Sequence, residues 1–342
     1  MEKININEYT LEELEQYIDG IDEKKFHAKQ IYKWIHRFGV TTFDDMSDIS
    51  KSLRDKLKSN TYISQLKVLE CQKSKDLTCK FLVGLEDNCA IETVLMKYNY
   101  GNTICISSQV GCKMGCKFCA STKEGFERSL KASEIEGQIL TIQRYTNEKI
   151  SNVVYMGIGE PLDNYDNVVK SIRLINSPLG LNIGARHISL STCGIVENIY
   201  KLADENIQCT LSISLHATTD EKRRRTMPIA NNYSISEIIN ACKTYIQKTG
   251  RRISFEYALI NNENDSIDDA LALAKLLRGL IAHVNLIPVN ELKNGIYKKA
   301  NAKSIENFMN TLNSCGVVTT LRRELGSDID AACGQLRKKY LT

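Results

Sequence analysis

Three cysteines in the run Cys112-Lys-Met-Gly-Cys116-Lys-Phe-Cys119 place three thiolates at spacings of four and three residues. That set is too tight and too few for a four-ligand structural zinc site, and it suits three corners of an iron–sulfur cube. A cubane normally takes four Cys ligands. No fourth follows closely here, so one iron is left open to a ligand that is not protein, and an open iron is a place for chemistry. The bare spacing also admits a chance cluster or a Cys3His zinc knuckle, although none of the five histidines (His27, His36, His187, His216 and His283) lies nearby.

Such thiols need a scaffold. The chain has 342 residues, enough for one large α/β domain and a small appendage. From Thr103 onward, apolar runs at 103–107, 152–156, 187–191, 210–215, 253–259 and 283–287 alternate with helical patterns at 132–145, 165–174, 195–203, 235–248 and 266–277. This alternation predicts parallel βα units. Functional groups in such folds gather where strands end and loops begin. The Cys112–Cys119 run, Gly157–Glu160, Ser191–Cys193, Ser214–His216 and Asn290 all fall at those places. Upstream, strands are expected at 65–71, 77–83 and 90–97, with Asp87-Asn88 as a turn. The first sixty or so residues read as short helices. One of them, from Lys24 to Phe38, carries Lys24, Lys25, Lys29, Lys33, His36 and Arg37, either as a solvated face or as a basic surface.

Composition narrows the class. The chain has 12 cysteines scattered without a signal peptide, which argues against a secreted disulfide framework and fits reduced thiols in a cytoplasm. No stretch approaches the roughly 20 apolar residues needed to cross a bilayer, so no membrane role is expected. A net charge of +4 is only mildly favourable to a polyanion and does not itself establish RNA binding.

Cys112, Cys116, Phe118 and Cys119 resemble the CxxxCxΦC signature of radical S-adenosylmethionine (SAM) enzymes, in which the open iron chelates the amino and carboxylate groups of SAM. Met156-Gly-Ile-Gly159-Glu160-Pro-Leu is similar to their GGE-type motif. This implies SAM contacts from Gly159, Glu160, Ser191, Ser214, Leu215, His216 and Asn290. With CISSQVGCKMGCKFC from Cys105, SISLHA from Ser212, HVNLIPVN from His283 and SDIDAACGQL from Ser327, the resemblance narrows to the RlmN/Cfr family of RNA methyltransferases, over roughly residues 90 to 336. It implies an α/β fold, a partial (β/α)6 radical SAM barrel at 99–342. A small helical RNA-binding accessory domain at 1–64 and a β-rich connecting segment at 65–98 would precede it.

The resemblance also implies a reaction, methylation of an adenine ring carbon in 23S rRNA (carbon 2 of adenine 2503) and in tRNA (adenine 37). Carbon 2 is electron-poor and carries no acidic proton, so a radical route is required. In the family's scheme a [4Fe-4S] cluster and two SAM molecules serve each turnover, with a flavodoxin- or ferredoxin-type protein as electron donor. Cys333 carries the methyl group, Glu92 accepts the ring proton, and Cys105 resolves the protein–RNA adduct through a transient disulfide. On the residues alone Cys333 reads equally well as a small buried thiol, Cys105 as a core residue and Glu92 as a solvent-facing one. Cys71, Cys79, Cys89, Cys193, Cys209, Cys242 and Cys315 match no ligand spacing and are assigned to packing or surface. Arg322, Arg323, Lys222 and Arg223 to Arg225 are either RNA phosphate contacts or solvated helix ends. Two other readings stay open: a Cfr-type carbon-8 methyltransferase giving antibiotic resistance, and a noncatalytic iron–sulfur RNA-binding protein. The proline in Glu160-Pro161, where Cfr commonly has alanine, favours carbon 2.

Overall fold

The computed structural model describes residues 3–291, 295–336, 339 and 340. Strand β1 (Ile4–Asn5) pairs in parallel with β2 (Thr61–Tyr62) and brackets three helices, α1 (Leu11–Gly20), α2 (Phe26–His36) and α3 (Lys51–Asn60). Helix α1 starts at a capping box, in which Thr10 accepts from the Glu13 amide and Glu13 accepts from the Thr10 amide. Leu14, Ile18, Ile31, Ile35, Leu53 and Leu57 close these helices into their own core.

Lys24, Lys25, Lys29, Lys33 and Arg37 are exposed as expected, but His36 is not part of that basic face. It points inward, and its Nδ1 lies 2.6 Å from Glu136 Oε2, with both side chains buried. The 3.6-residue period carries His36 onto the apolar side with Ile35 and Tyr32. Because Glu136 belongs to the next domain's first helix, this pair ties the helical bundle to the barrel. Glu136→Ala is expected to cost about 3 kcal/mol, since it orphans a buried polar partner. Urea unfolding should show the loss as a lower midpoint.

The remaining strands form one sheet. β3 (Lys67–Lys73), β4 (Cys79–Gly84), β5 (Cys89–Tyr98) and β6 (Gly101–Cys105) are antiparallel neighbours. β7 (Gln109–Gly111) and β8 (Phe126–Ser129) make a small separate hairpin. β6 then pairs in parallel with β9 (Ile150–Tyr155), followed in order by β10 (Ile188–Thr192), β11 (Thr210–Ser214), β12 (Ile253–Leu259), β13 (Ala282–Pro288) and β14 (Thr319–Leu321). The short β15 (Lys339–Tyr340) lies antiparallel on β5. Helices α4 (Ala132–Thr146), α5 (Tyr165–Asn176), α6 (Val196–Asp204), α7 (Asp220–Thr226), α8 (Ile235–Thr249), α9 (Ile267–Leu276) and α10 (Ala302–Ser314) fill the crossovers.

All six expected βα strands are present, parallel and in sequence order, forming the open partial barrel. The β-rich segment joins the same sheet, because β5 pairs with β6 and extends the barrel with antiparallel strands. One feature was not expected. A further parallel strand, β14, closes the far edge; its three residues are too few and too exposed to show an apolar run.

Candidate active site

The chemistry gathers at the C-terminal ends of the parallel strands. The cysteine loop leaves β6 and is shaped first by the β7–β8 hairpin. Gly111 has φ +77°, and a Cβ there would sit 1.9 Å from the Gly125 carbonyl oxygen, so only glycine lets the two strands close. Gln138 of α4 clamps the loop base: its Oε1 accepts from the Ser107 amide at 2.9 Å and its Nε2 donates to the Ser107 carbonyl at 2.9 Å. Lys117 N donates to Thr226 O at 2.9 Å, and Ala120 N to Gly334 O at 2.6 Å. The last bond places the segment bearing Cys333 directly against the cysteine loop.

Cys112, Cys116 and Cys119 line one cavity that opens to solvent. Burial pushes the Cys112 thiol up to about 12 and raises Cys116 and Cys119 as well, each thiol also feeling another's charge. Buried thiols so disposed stay protonated until a metal claims them, and coordination deprotonates them outright. Three thiols carried by one eight-residue run and lining one cavity suit a cubane, in which each sulfur holds a different iron. The donor set therefore fits a [4Fe-4S] cluster with one corner free.

The same cavity is lined by Gly159, Glu160, Ser191, Ser214, His216, Asn290 and Cys333. Gly159 has φ +104°, and a Cβ would meet the Gln109 Cβ at 2.6 Å, so glycine is required for the β9 loop to pass beside the cysteine loop. Glu160 is buried, and its carboxylate accepts from Thr192 Oγ1 at 2.6 Å, Cys193 N at 2.7 Å and Leu162 N at 3.0 Å. Burial raises its pKa against those hydrogen bonds. Three protein donors thus already hold the carboxylate, which knits the β9 and β10 loops together. Ser191 and Ser214 hydroxyls stand 3.4 Å apart on adjacent strands. His216 has φ +57° and its Nδ1 accepts from the Ala258 amide at 2.9 Å, leaving the proton on Nε2. Burial first, then Arg223, holds its pKa down to about 3, so it is neutral. Phe118 meets the His216 ring edge-on, at 5.0 Å and 82°.

A second cavity adjoins the first. It is lined by Cys105 together with Val94, Met96 and Tyr98 of β5, and it shares Met156, Asn290, Arg322 and Cys333 with the first cavity. Cys333 therefore stands between the cysteine loop on one side and Cys105 on the other. Burial, then the nearby Cys333, pushes the Cys105 thiol up to about 12, and Arg322 opposes this. Asn290 is used by the protein as well as lining the cofactor cavity, since its Nδ2 donates to the Cys333 carbonyl at 2.9 Å.

Leu215 lies between Ser214 and His216, which line the first cavity; its side chain is buried in the core and its carbonyl accepts from Arg223 Nε at 3.2 Å. Several expectations are corrected. Glu92 is not solvent-facing. It is buried with Oε1 3.5 Å from Lys80 Nζ, and it lines neither cavity. It does share a β5 face with Val94, two residues on. Arg223 is no phosphate contact. It is fully buried, donating to the carbonyls of Cys193 at 2.5 Å and Ser214 at 3.4 Å, where it fixes the strand-end loops. Lys222 pairs with Asp269 at 2.6 Å. Arg322 also turns inward, with Nη1 3.2 Å from Met156 Sδ and 4.0 Å from Glu256 Oε2. Sequence reasoning missed Glu256 and assigned Cys193 to packing or surface, yet both line the first cavity. A lone acid within the apolar run of β12 was the available signal for Glu256; for Cys193 it was the place at the end of the third βα strand.

An open parallel β/α sheet with three thiols on the loop after its first parallel strand, lining a cavity across its strand ends, is the arrangement of a radical SAM enzyme. Comparison with known proteins agrees: residues 106–274 match the radical SAM superfamily, and residues 4–63 match the ribosomal RNA large subunit methyltransferase N-terminal domain. A probable dual-specificity RNA methyltransferase RlmN of Clostridium perfringens is 55% identical over 338 residues, 98% of this chain and 97% of that protein. Its counterpart in Alkaliphilus oremlandii is 54% identical over 342 residues, 100% of this chain and 99% of that one. A crystal structure of a radical SAM methyltransferase from Sphaerobacter thermophilus superposes with a TM-score of 0.92 at 38% identity, covering 97% of this chain and 99% of that one. The chain belongs to the RlmN family of radical SAM RNA methyltransferases. Among the described residues no helix is long and apolar enough to cross a membrane.

Proposed function

We propose that this enzyme methylates carbon 2 of adenine 2503 in 23S rRNA and of adenine 37 in tRNAs, using two SAM molecules per turnover. The observation that carries the reading is the position of Cys333 between the cysteine-loop cavity and the cavity of Cys105. Cys112, Cys116 and Cys119 would hold the cluster, with SAM beside it against Gly159, Ser191, Ser214 and His216. Bound there, SAM supplies a methyl group by polar transfer and, when cleaved reductively, a radical able to abstract hydrogen.

The chain's own residues divide the remaining work. Cys333 accepts a methyl group as a thioether, thiolate being the reactive form. After that methyl has lost a hydrogen atom to the SAM-derived radical, its carbon bonds to carbon 2 of the base, linking enzyme and RNA covalently, and the unpaired electron left on the ring would return to the cluster. Glu92 takes the ring proton; in the structure Lys80 holds it one step back from the cavity, so the RNA complex must bring carboxylate and base together. Cys105 attacks the sulfur of Cys333, the S–S bond forming as the S–C bond breaks and the released carbon taking up a proton to become the methyl group; a reductant reopens the disulfide. Arg322, facing both thiols, stabilises negative charge on either sulfur. A flavodoxin- or ferredoxin-type donor and a cytoplasmic location follow from this chemistry, which consumes electrons and needs reduced thiols.

Glu160-Pro161 supports carbon 2 over carbon 8. The test is mass spectrometry of nucleosides from treated 23S rRNA and tRNA, which should show 2-methyladenosine; 8-methyladenosine would overturn the assignment. Cys333→Ala should keep its iron yet take up no labelled methyl group from SAM. Label still found on that polypeptide would assign the carrier role to another residue.

A further inference from the structure

Tyr98 of β5 pairs with Gly101 of β6, so Asn99 and Tyr100 form a two-residue turn. Neither central residue has a positive φ, so the turn itself does not call for Tyr100. Burial does not account for Tyr100 either, because 72% of its surface is exposed. Its ring stacks on Tyr98 instead, with centroids 4.9 Å apart and planes within 11°. Tyr98 lines the cavity of Cys105 and Cys333, as do Arg322 and Arg323, whose charges both act on its hydroxyl. The two rings thus make a step from solvent to the thiols, with cations beside it.

Chemistry on a ring carbon between Cys105 and Cys333 requires the target adenine to leave its stack, and that strips one face from each neighbouring base. Single-stranded RNA is commonly held by aromatic side chains that replace such lost stacking. We propose that Tyr98 and Tyr100 form a stacking platform for a nucleobase adjacent to the target adenine, with Arg323 beside the intervening phosphate. The inference rests on the adenine-methylation reading above and adds to it the residues that hold the flanking RNA. Tyr100 does not line the cavity but stacks on Tyr98, which does, so the base it meets is a neighbour of the target.

The experiment is equilibrium binding of cluster-loaded enzyme to a synthetic 23S rRNA stem-loop containing the target adenine, followed by fluorescence anisotropy over a range of salt concentrations. Tyr100→Ala should raise Kd roughly 5- to 100-fold, the effect of one lost base–aromatic stack. Tyr100→Phe should stay within about twofold of the wild type, because it keeps the ring, and the salt slope of Tyr100→Ala should be unchanged, because no phosphate contact is lost. Thermal midpoint and iron content equal to the wild type identify folded variants. An unchanged Kd in Tyr100→Ala overturns the platform, as does an equal loss in Tyr100→Phe, which would assign the effect to the hydroxyl. A wild-type enzyme that neither binds nor methylates this RNA removes the underlying reading and the platform with it. A normal wild type with an unaffected Tyr100→Ala removes the platform alone.

Discussion

Cys105→Ala, purified from cells under denaturing conditions, is expected to carry nuclease-sensitive RNA covalently attached through Cys333. Methyl loading on Cys333 and bond formation to the base need the cluster loop and Cys333, and neither depends on the Cys105 thiol. Release does depend on it. Cys105 is buried at the end of β6, and among the described residues lining its cavity it and Cys333 are the only cysteines. Once Cys105 is gone, no other thiol in that cavity can displace the sulfur of Cys333, and turnover should fall to the level of spontaneous adduct decay. Cys193 is the informative control, because it lines the neighbouring cavity. Its backbone is fixed by Glu160 at the amide and Arg223 at the carbonyl. Cys193→Ala should accumulate no adduct. If Cys105→Ala carries no RNA while Cys333 is methylated, or turns over normally, the resolving role belongs elsewhere.

Cys119→Ala is expected to abolish both the cluster and every step after it. Three thiolates give each of three irons one protein ligand, so removal of any one leaves two corners open rather than one. Cys119 is also the thiol whose backbone adjoins the Ala120–Gly334 hydrogen bond, so its loss leaves that tie in place and tests the ligand alone. Anaerobic reconstitution should give iron and sulfide contents well below four per chain, no cluster absorbance, and no 5′-deoxyadenosine on reduction with SAM. The thermal midpoint of the metal-free protein should move little. Normal iron and normal SAM cleavage in Cys119→Ala would remove the three-thiol assignment.

What was legible beforehand follows from how local each signal is. The cluster ligands lie within eight residues, and their spacing is dictated by the cofactor, so Cys112, Cys116 and Cys119 could be read directly. Period-two and period-3.6 patterns come from burial of one face, and they gave the six barrel strands with boundaries differing by a few residues. Glu160 and His216 sit at strand ends, where the alternating pattern already placed them, and both line the first cavity. The direction a polar side chain takes was not legible. Arg223 and Arg322 read as surface cations because arginine usually is one. Their inward turn depends on carbonyls of Cys193 and Ser214 for the first, and on Glu256 and Met156 for the second, all supplied by other strands.

The sequence by itself determined the class of chemistry, the order of the βα units and the three residues that can hold a cluster, because each of these is written in spacings short enough to survive without a fold. Only the tertiary structure decided that Cys333, 214 residues beyond Cys119, returns to the cysteine loop through the Ala120–Gly334 bond, and that Cys105 and Arg322 line a second cavity with it. Those relations are set by parallel strand register, which brings the C-terminal ends of strands far apart in sequence to one edge of the sheet. No local pattern encodes them, since a residue's own neighbours fix its strand and its face but not what the next strand brings opposite.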